Sequence, residues 1–204
     1  MEDFNLYIEK GGVIFSILLL LSAIGITLIF YKIFEIIFFS ELNLKKYNDI
    51  LKNSSDIKEF KSFIEEELNS RNDSFIKEII EIIDENKSKS EKEDLLEILI
   101  QRKYYRAQRF LPTLEIIAQV SPLVGLLGTV IGMIDSFNEL ELGGSLVDPS
   151  ILAGGIWTAL LTTAMGLIVA IPALISHYFF DKKISTLLIS VDGFLTNLIS
   201  KSIR

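Results

Sequence analysis

The sequence contains no cysteine. Disulfide staples, iron–sulfur clusters and thiolate catalysis are therefore excluded. It holds one histidine, His177, too few for a multi-histidine metal site. Positive charge is also short. With 27 acidic and 20 basic residues the chain carries a net charge of −7, and no basic stripe of the kind that binds nucleic acid is visible. No cofactor or metal is expected. What the 204 residues do have is apolar bulk: 50% are hydrophobic and 23% charged, at a mean hydropathy of +0.42. Both values can hold together only if apolar and charged residues are segregated along the chain. They are segregated, and the pattern reads as an all-α membrane protein with a polar insert.

The first apolar run, Val13 to Tyr31, is free of charge and long enough to cross a bilayer core. It continues through Lys32 and Glu35 to Phe39, with both charges near one end, where they can snorkel or pair at i, i+3. A cleaved signal peptide would open with basic residues and carry a shorter apolar core. This chain opens Met-Glu-Asp-Phe, so the run reads as a retained span. The second span opens at Pro112 and ends near Phe137. The third runs from Ile151 to Phe180, with Asp148 as N-cap and Pro149 at the first helical position. The expected division is an N-terminal tail (1–12), transmembrane helix 1 (13–39), a helical segment (40–111), transmembrane helix 2 (112–137), a short loop (138–150), transmembrane helix 3 (151–180) and a C-terminal helix (181–204). Stripes at helical spacing mark the segment between spans one and two: Phe60, Phe63, Ile64 and Leu68; Phe75, Ile76, Ile79, Ile80 and Ile83; then Leu95, Leu96, Ile98, Leu99 and Ile100. The tail after Phe180 continues with Ile184, Leu187, Leu188, Val191 and Leu195, a face expected to pack on those helices. Residues 41–110 hold 14 of the 20 lysines and arginines and the C-terminal tail four more. The positive-inside rule then puts both in the cytoplasm and the N-terminus outside.

Spans two and three carry the chemistry. Ser121, Gly125, Gly128, Thr129, Gly132 and Ser136 recur at steps of three or four, as do Gly155, Ala159, Thr163, Gly166 and Ala170, with Thr158 and Thr162 beside the second series. Small-xxx-small faces are the usual means of close helix packing in membranes. Threonines at mid-depth on both spans make a weakly polar cavity lining an equal alternative. No aspartate, glutamate, lysine or arginine lies at mid-depth, so an ion crossing here needs a carboxylate from another chain. Glu115, Asp135 and His177 read as interfacial residues. Pro122 and Pro172 each remove a backbone donor inside a span and are expected to kink it.

These residues resemble a known family. LEIIAQVSPLVGLLGTVIGMIDSF over Leu114–Phe137 and GGIWTALLTTAMGLIVAIPAL over Gly154–Leu174 are similar to the second- and third-span signatures of the ExbB/TolQ/MotA proton channel family, and most similar to its ExbB/TolQ branch. The resemblance implies a homopentameric ring with long cytoplasmic helical extensions in the bacterial inner membrane. It would surround ExbD- or TolR-like single-span subunits whose aspartate carries the ion. Such a motor drives a TonB- or TolA-like periplasmic protein, energising outer-membrane transport (ExbB-like) or maintaining the envelope (TolQ-like). The family's two motif threonines fall on Thr129 and Thr163, facing the partner carboxylate. Thr158 stands where many relatives have a glutamate, leaving proton and sodium both open as the driving ion. From another class, a structural membrane scaffold without conduction also fits the small-residue faces. An enzyme does not fit: neither paired carboxylates nor a nucleophile–base set lies at membrane depth.

Overall fold

The computed structural model describes residues 2–39, 44–54, 59–60, 62–64, 74–84, 87–143 and 149–202. No strand occurs among them. The helices with defined bounds are α1 (Glu2–Phe39), α2 (Leu44–Asn53), α3 (Ser74–Asp84), α4 (Lys89–Gln108), α5 (Leu111–Gly143) and α6 (Pro149–Ser202). Three stretches are helical, long and apolar enough to cross a membrane, within Gly12–Ile36, Lys89–Leu142 and Leu152–Lys201. The chain forms two compact units, Met1–Phe34 with Phe110–Phe180, and Glu35–Arg109 with Asp181–Arg204.

In the first unit α1 breaks at Gly12, whose φ of 57° lies in the left-handed region that a side chain disfavours. Past that break α1 lies antiparallel to α5. A Cβ on Gly128 would meet Ile14, one on Gly25 would lie 3.7 Å from Ile117 Cγ2, and the rings of Tyr31 and Phe110 make an edge contact at 5.5 Å. Going down α1 therefore means going back along α5 residue for residue. Phe110, just before α5, has φ 69°, and the edge contact with Tyr31 helps hold that uncommon conformation. Pro112 follows within the first turn, where its missing N–H costs nothing. The same register puts Lys32 level with Phe110. The lysine is 1% exposed and engaged, so of the two sequence readings, snorkelling or pairing, the burial argues against snorkelling toward water. Large apolar side chains such as Val13, Leu20, Phe30, Leu123, Leu160 and Ile175 remain exposed, as expected of surfaces that meet lipid or other membrane helices.

The helices also run beyond the apolar segments. α5 continues through Asn138–Leu142 to Gly143, because glutamate and leucine propagate a helix whether or not the stretch is apolar. The N-cap read at Asp148 lies outside the described residues; α6 begins at Pro149 and is continuous to Ser202.

The second unit has its own core. Tyr47 and Leu51 of α2, Phe60, Ile64, Phe75, Ile76 and Ile79, and Leu96 and Leu99 of α4 gather around Val191, Phe194, Leu195 and Leu198 of α6. Of the tail stripe Ile184, Leu187, Leu188, Val191 and Leu195, the last two join this core, Ile184 is buried outside it, and Leu187 and Leu188 are half-buried. Within the other stripes Phe63 and Ile98 turn outward, each 53% exposed, and Leu68 lies outside the described residues. Lysines close two helix ends: Lys201 Nζ donates to the carbonyls of Leu51 and Ser54, and Lys92 Nζ donates to that of Ile83 at 2.6 Å. Cations suit helix C-termini, where carbonyls lack intrahelical donors.

At the other end of α4 a capping box operates. Glu91 N–H donates to Ser88 Oγ, while Ser88 N–H donates to Glu91 Oε2 at 2.8 Å. The Ser88 hydroxyl and backbone bonds hold the Glu91 carboxyl below its usual value. A carboxyl depressed in the folded state stabilises it above the ordinary carboxylate range and loses that contribution as pH falls through the lowered value. The protection of the first α4 amides in the full-length chain, measured as hydrogen exchange relative to the intrinsic rate at each pH, should therefore fall on acidification through that range. Ser88→Ala should lose the same protection at neutral pH, and a variant that exchanges like the native chain would dismiss the box.

Candidate functional site

The small residues of α5 and α6 face one another. A Cβ on Gly125 would lie 2.8 Å from the Thr162 carbonyl oxygen and 3.1 Å from Thr163 Cα, and one on Gly166 would lie 2.6 Å from the Ser121 carbonyl oxygen. Gly132 meets Ala159 at 3.3 Å, and Gly155 meets Ser136. The helices run antiparallel in one register from Ser121/Gly166 to Ser136/Gly155. Of the two readings open for Ser121, Gly125, Gly128, Gly132, Gly155, Ala159 and Gly166, packing within the chain is what the geometry supports. Their surfaces are spent on the seam, since backbones this close leave no room for a lining. Pro122 and Pro172 lie inside α5 and α6, and both helices continue through them. Near the first, Ser121 Oγ donates to the Ile117 carbonyl at 2.6 Å.

The four threonines separate into three situations. Thr162, 2% exposed, lies in the seam and donates to Ala159 O at 2.7 Å, with Gly125 O 3.2 Å away. Sequence spacing made Thr163 the seam residue and Thr162 its neighbour; the contacts bring both to Gly125, with Thr162 the more deeply buried, and its hydroxyl is not on a free surface. Thr129 and Thr163 are half-buried at one edge of the seam. Gly128 faces Thr162 and Ile14, so α1 covers that edge; Gly125 faces Thr163, and Thr129 follows Gly128 by about 100°, toward the edge that α1 leaves clear. Thr158, five residues before Thr163, is turned about 140° from it and lies toward the α1-covered edge.

The hydroxyl protons are already used. Thr129 Oγ1 donates to Leu126 O at 2.7 Å, Thr158 Oγ1 to Gly154 O at 3.0 Å and Thr163 Oγ1 to Gly125 O at 3.4 Å. As they stand, these oxygens offer lone pairs, which suit a protonated acid or a cation. Donating to a carboxylate requires breaking one bond. The 3.4 Å bond of Thr163 is long for a hydroxyl donor and is the easiest to give up. No ionisable residue interrupts α5 between Glu115 and Asp135, or α6 between Pro149 and His177.

One pair went unnoticed in the sequence. His177 Nε2 lies 3.8 Å from Glu115 Oε2, and Gln119 Nε2 donates to the other carboxylate oxygen at 3.1 Å. The two residues are far apart in sequence, and only the antiparallel register of α5 on α6 brings them together. A usable signal was present: Glu115 precedes Thr129 by fourteen residues and His177 follows Thr163 by fourteen.

Comparison with known proteins agrees with this architecture. The family model of the MotA/TolQ/ExbB proton channel family matches residues 67–192. The biopolymer transport protein exbB1 of Vibrio cholerae is 40% identical over 85 residues, 42% of this chain and 37% of that protein. The biopolymer transport protein ExbB of Xanthomonas campestris is 35% identical over 99 residues, 48% and 39% of the two chains. The Tol-Pal system protein TolQ of Pseudomonas aeruginosa is 36% identical over 88 residues, 43% and 38%. The chain thus spans less than half the length of each of these curated relatives.

Proposed function

Because this multi-pass chain belongs to the MotA/TolQ/ExbB proton channel family, we propose that it is the ring-forming subunit of an ion-driven motor in the bacterial inner membrane. Spans 13–39, 112–137 and 151–180 cross the bilayer, with the N-terminus periplasmic and residues 40–111 and 181–204 in the cytoplasm. Five copies enclose the spans of ExbD- or TolR-like subunits. The observation that carries the reading is the α1-free edge of the seam. There, over the stretch between Glu115 and Asp135 on α5 and between Pro149 and His177 on α6, no ionisable side chain occurs, and Thr129 and Thr163 offer hydroxyls suited to a carboxylic acid from a neighbouring chain. Thr129 and Thr163 solvate that group as it passes between neutral and charged forms, and its movement works a TonB- or TolA-like periplasmic protein. An ExbB-like role in energising outer-membrane transport is the first reading. A TolQ-like role in envelope maintenance stands beside it, because relatives of both names match at similar identity.

Purification from native membranes, followed by intact mass measurement, tests the assembly. The expected species is five copies with a single-span companion that carries a membrane aspartate. A stable monomer that retains no companion would favour a structural scaffold and overturn the proposal.

A further inference from the structure

We infer that Glu115 and His177 form a proton-accepting station at the cytoplasmic end of the surface that Thr129 and Thr163 occupy. This rests on the function proposed above. Fourteen residues separate Glu115 from Thr129 on α5, and fourteen separate Thr163 from His177 on α6. At 3.6 residues per turn each pair of positions shares a helix face to within about 40°, about 21 Å apart along the axis. The two helices are antiparallel, so both offsets run toward the same end. The hydroxyl pair and the titratable pair therefore lie on one edge of one seam, the edge clear of α1. A proton travelling inward from the threonines meets no other ionisable side chain of α5 or α6 before this pair.

The local geometry suits uptake better than clamping. At 3.8 Å, His177 Nε2 and Glu115 Oε2 are within ion-pair range but beyond a direct hydrogen bond, so each keeps capacity for water. Their side chains are 21% and 48% exposed on the surface of the single chain, so neither is sealed inside it. The Gln119 amide holds the far carboxylate oxygen and leaves the near one facing the imidazole. On α1 the pair is level with Thr27, and the nearest titratable groups there, Tyr31 and the buried Lys32, lie about a turn beyond; along α6 the next ionisable groups are Tyr178 and Asp181. In the step itself, neutral imidazole takes H⁺ from hydronium at the inner mouth, forming imidazolium beside the Glu115 carboxylate. The imidazolium then returns H⁺ to cytoplasmic water. One N–H bond forms and the same bond breaks, and no other reactant is consumed.

The test uses the native complex in proteoliposomes, with potential-driven proton flux followed while the cytoplasmic-face pH is varied between about 5 and 8, the interval in which histidine changes charge. The native rate should depend on that pH. His177→Gln keeps a donor beside Glu115 and so preserves a structural clamp. It should nevertheless lose the pH dependence and lower the rate at least about tenfold, at the low end of what positioned acid–base groups supply. Glu115→Gln should lower the rate less and retain a pH dependence. A His177→Gln complex of native mass with the native pH profile overturns the inference and leaves the motor reading intact. Absence of flux in the native complex overturns both. If His177→Gln fails to assemble, Glu115→Gln decides, and a native rate and profile there overturns the inference.

Discussion

Replacing Thr163 with valine is expected to leave the chain folded and assembled while ion-driven flux falls roughly 10- to 150-fold. Valine keeps the branched shape and removes the hydroxyl. A hydrogen bond to a charged group is worth about 1.5–3 kcal/mol, and each 1.4 kcal/mol is about a factor of ten in rate or affinity. The structure ranks the threonines in a way that sequence spacing did not. Thr163 gives up only a 3.4 Å bond to Gly125 O to reach a carboxylate, whereas Thr129 must leave a 2.7 Å bond to Leu126 O. Thr129→Val should therefore cost less than Thr163→Val, and the double variant should be inactive. Thr158→Val should be mild, since Thr158 lies toward the other edge of the seam. Thr162→Val is the informative control: its hydroxyl is buried between helices, so the change should lower thermal stability more than flux. Proteoliposome flux and detergent melting, measured on the same preparations, separate the two effects. Full activity in the Thr129→Val, Thr163→Val variant would return both residues to packing.

The three apolar spans were legible because an unbroken charge-free run has few alternatives in a chain this charged. The seam residues were legible as a class for a related reason: only small side chains recur at steps of three and four on both spans. Which threonine lies deeper was not. From Ala159, a step of three reaches Thr162 and a step of four reaches Thr163, and both belong to a helical face. Both meet Gly125, but only Thr162 also meets Gly128 on the other helix, information held in no local pattern. The same limit hid Glu115 and His177, each an unremarkable interfacial residue until the register pairs them. Lys32 shows a different limit. Its position near a span end allowed snorkelling or pairing, and its burial rests on packing that no local pattern contains. In the second unit the stripes named the right helices, but Phe63 and Ile98 turn outward; Ile98 lies more than about 100° around α4 from the face that buries Leu96 and Leu99.

Gly166→Ala should destabilise the chain by about 1–3 kcal/mol or more, whereas Gly154→Ala should be neutral or stabilising by up to about 1 kcal/mol. Both glycines sit inside α6, so helix propensity alone favours alanine at each. The surroundings differ. A Cβ at Gly154 meets nothing within 4 Å, but one at Gly166 lies 2.6 Å from the Ser121 carbonyl oxygen and 3.2 Å from Gly125 Cα. Those are backbone atoms of a facing helix and cannot rotate aside, so relief requires α5 and α6 to separate. Separation would loosen the contacts around Thr162 and shift Thr163 relative to Thr129, so flux should fall along with stability. Gly25→Ala supplies an intermediate case, because its Cβ would make an ordinary 3.7 Å contact with Ile117 Cγ2. Thermal unfolding in detergent should rank the variants Gly166→Ala, then Gly25→Ala, then Gly154→Ala, in rising stability. Equal melting temperatures for Gly166→Ala and Gly154→Ala would mean that the seam is not closed by backbone contact, and the packing assigned to Ser121, Gly125 and Gly166 would have to be withdrawn.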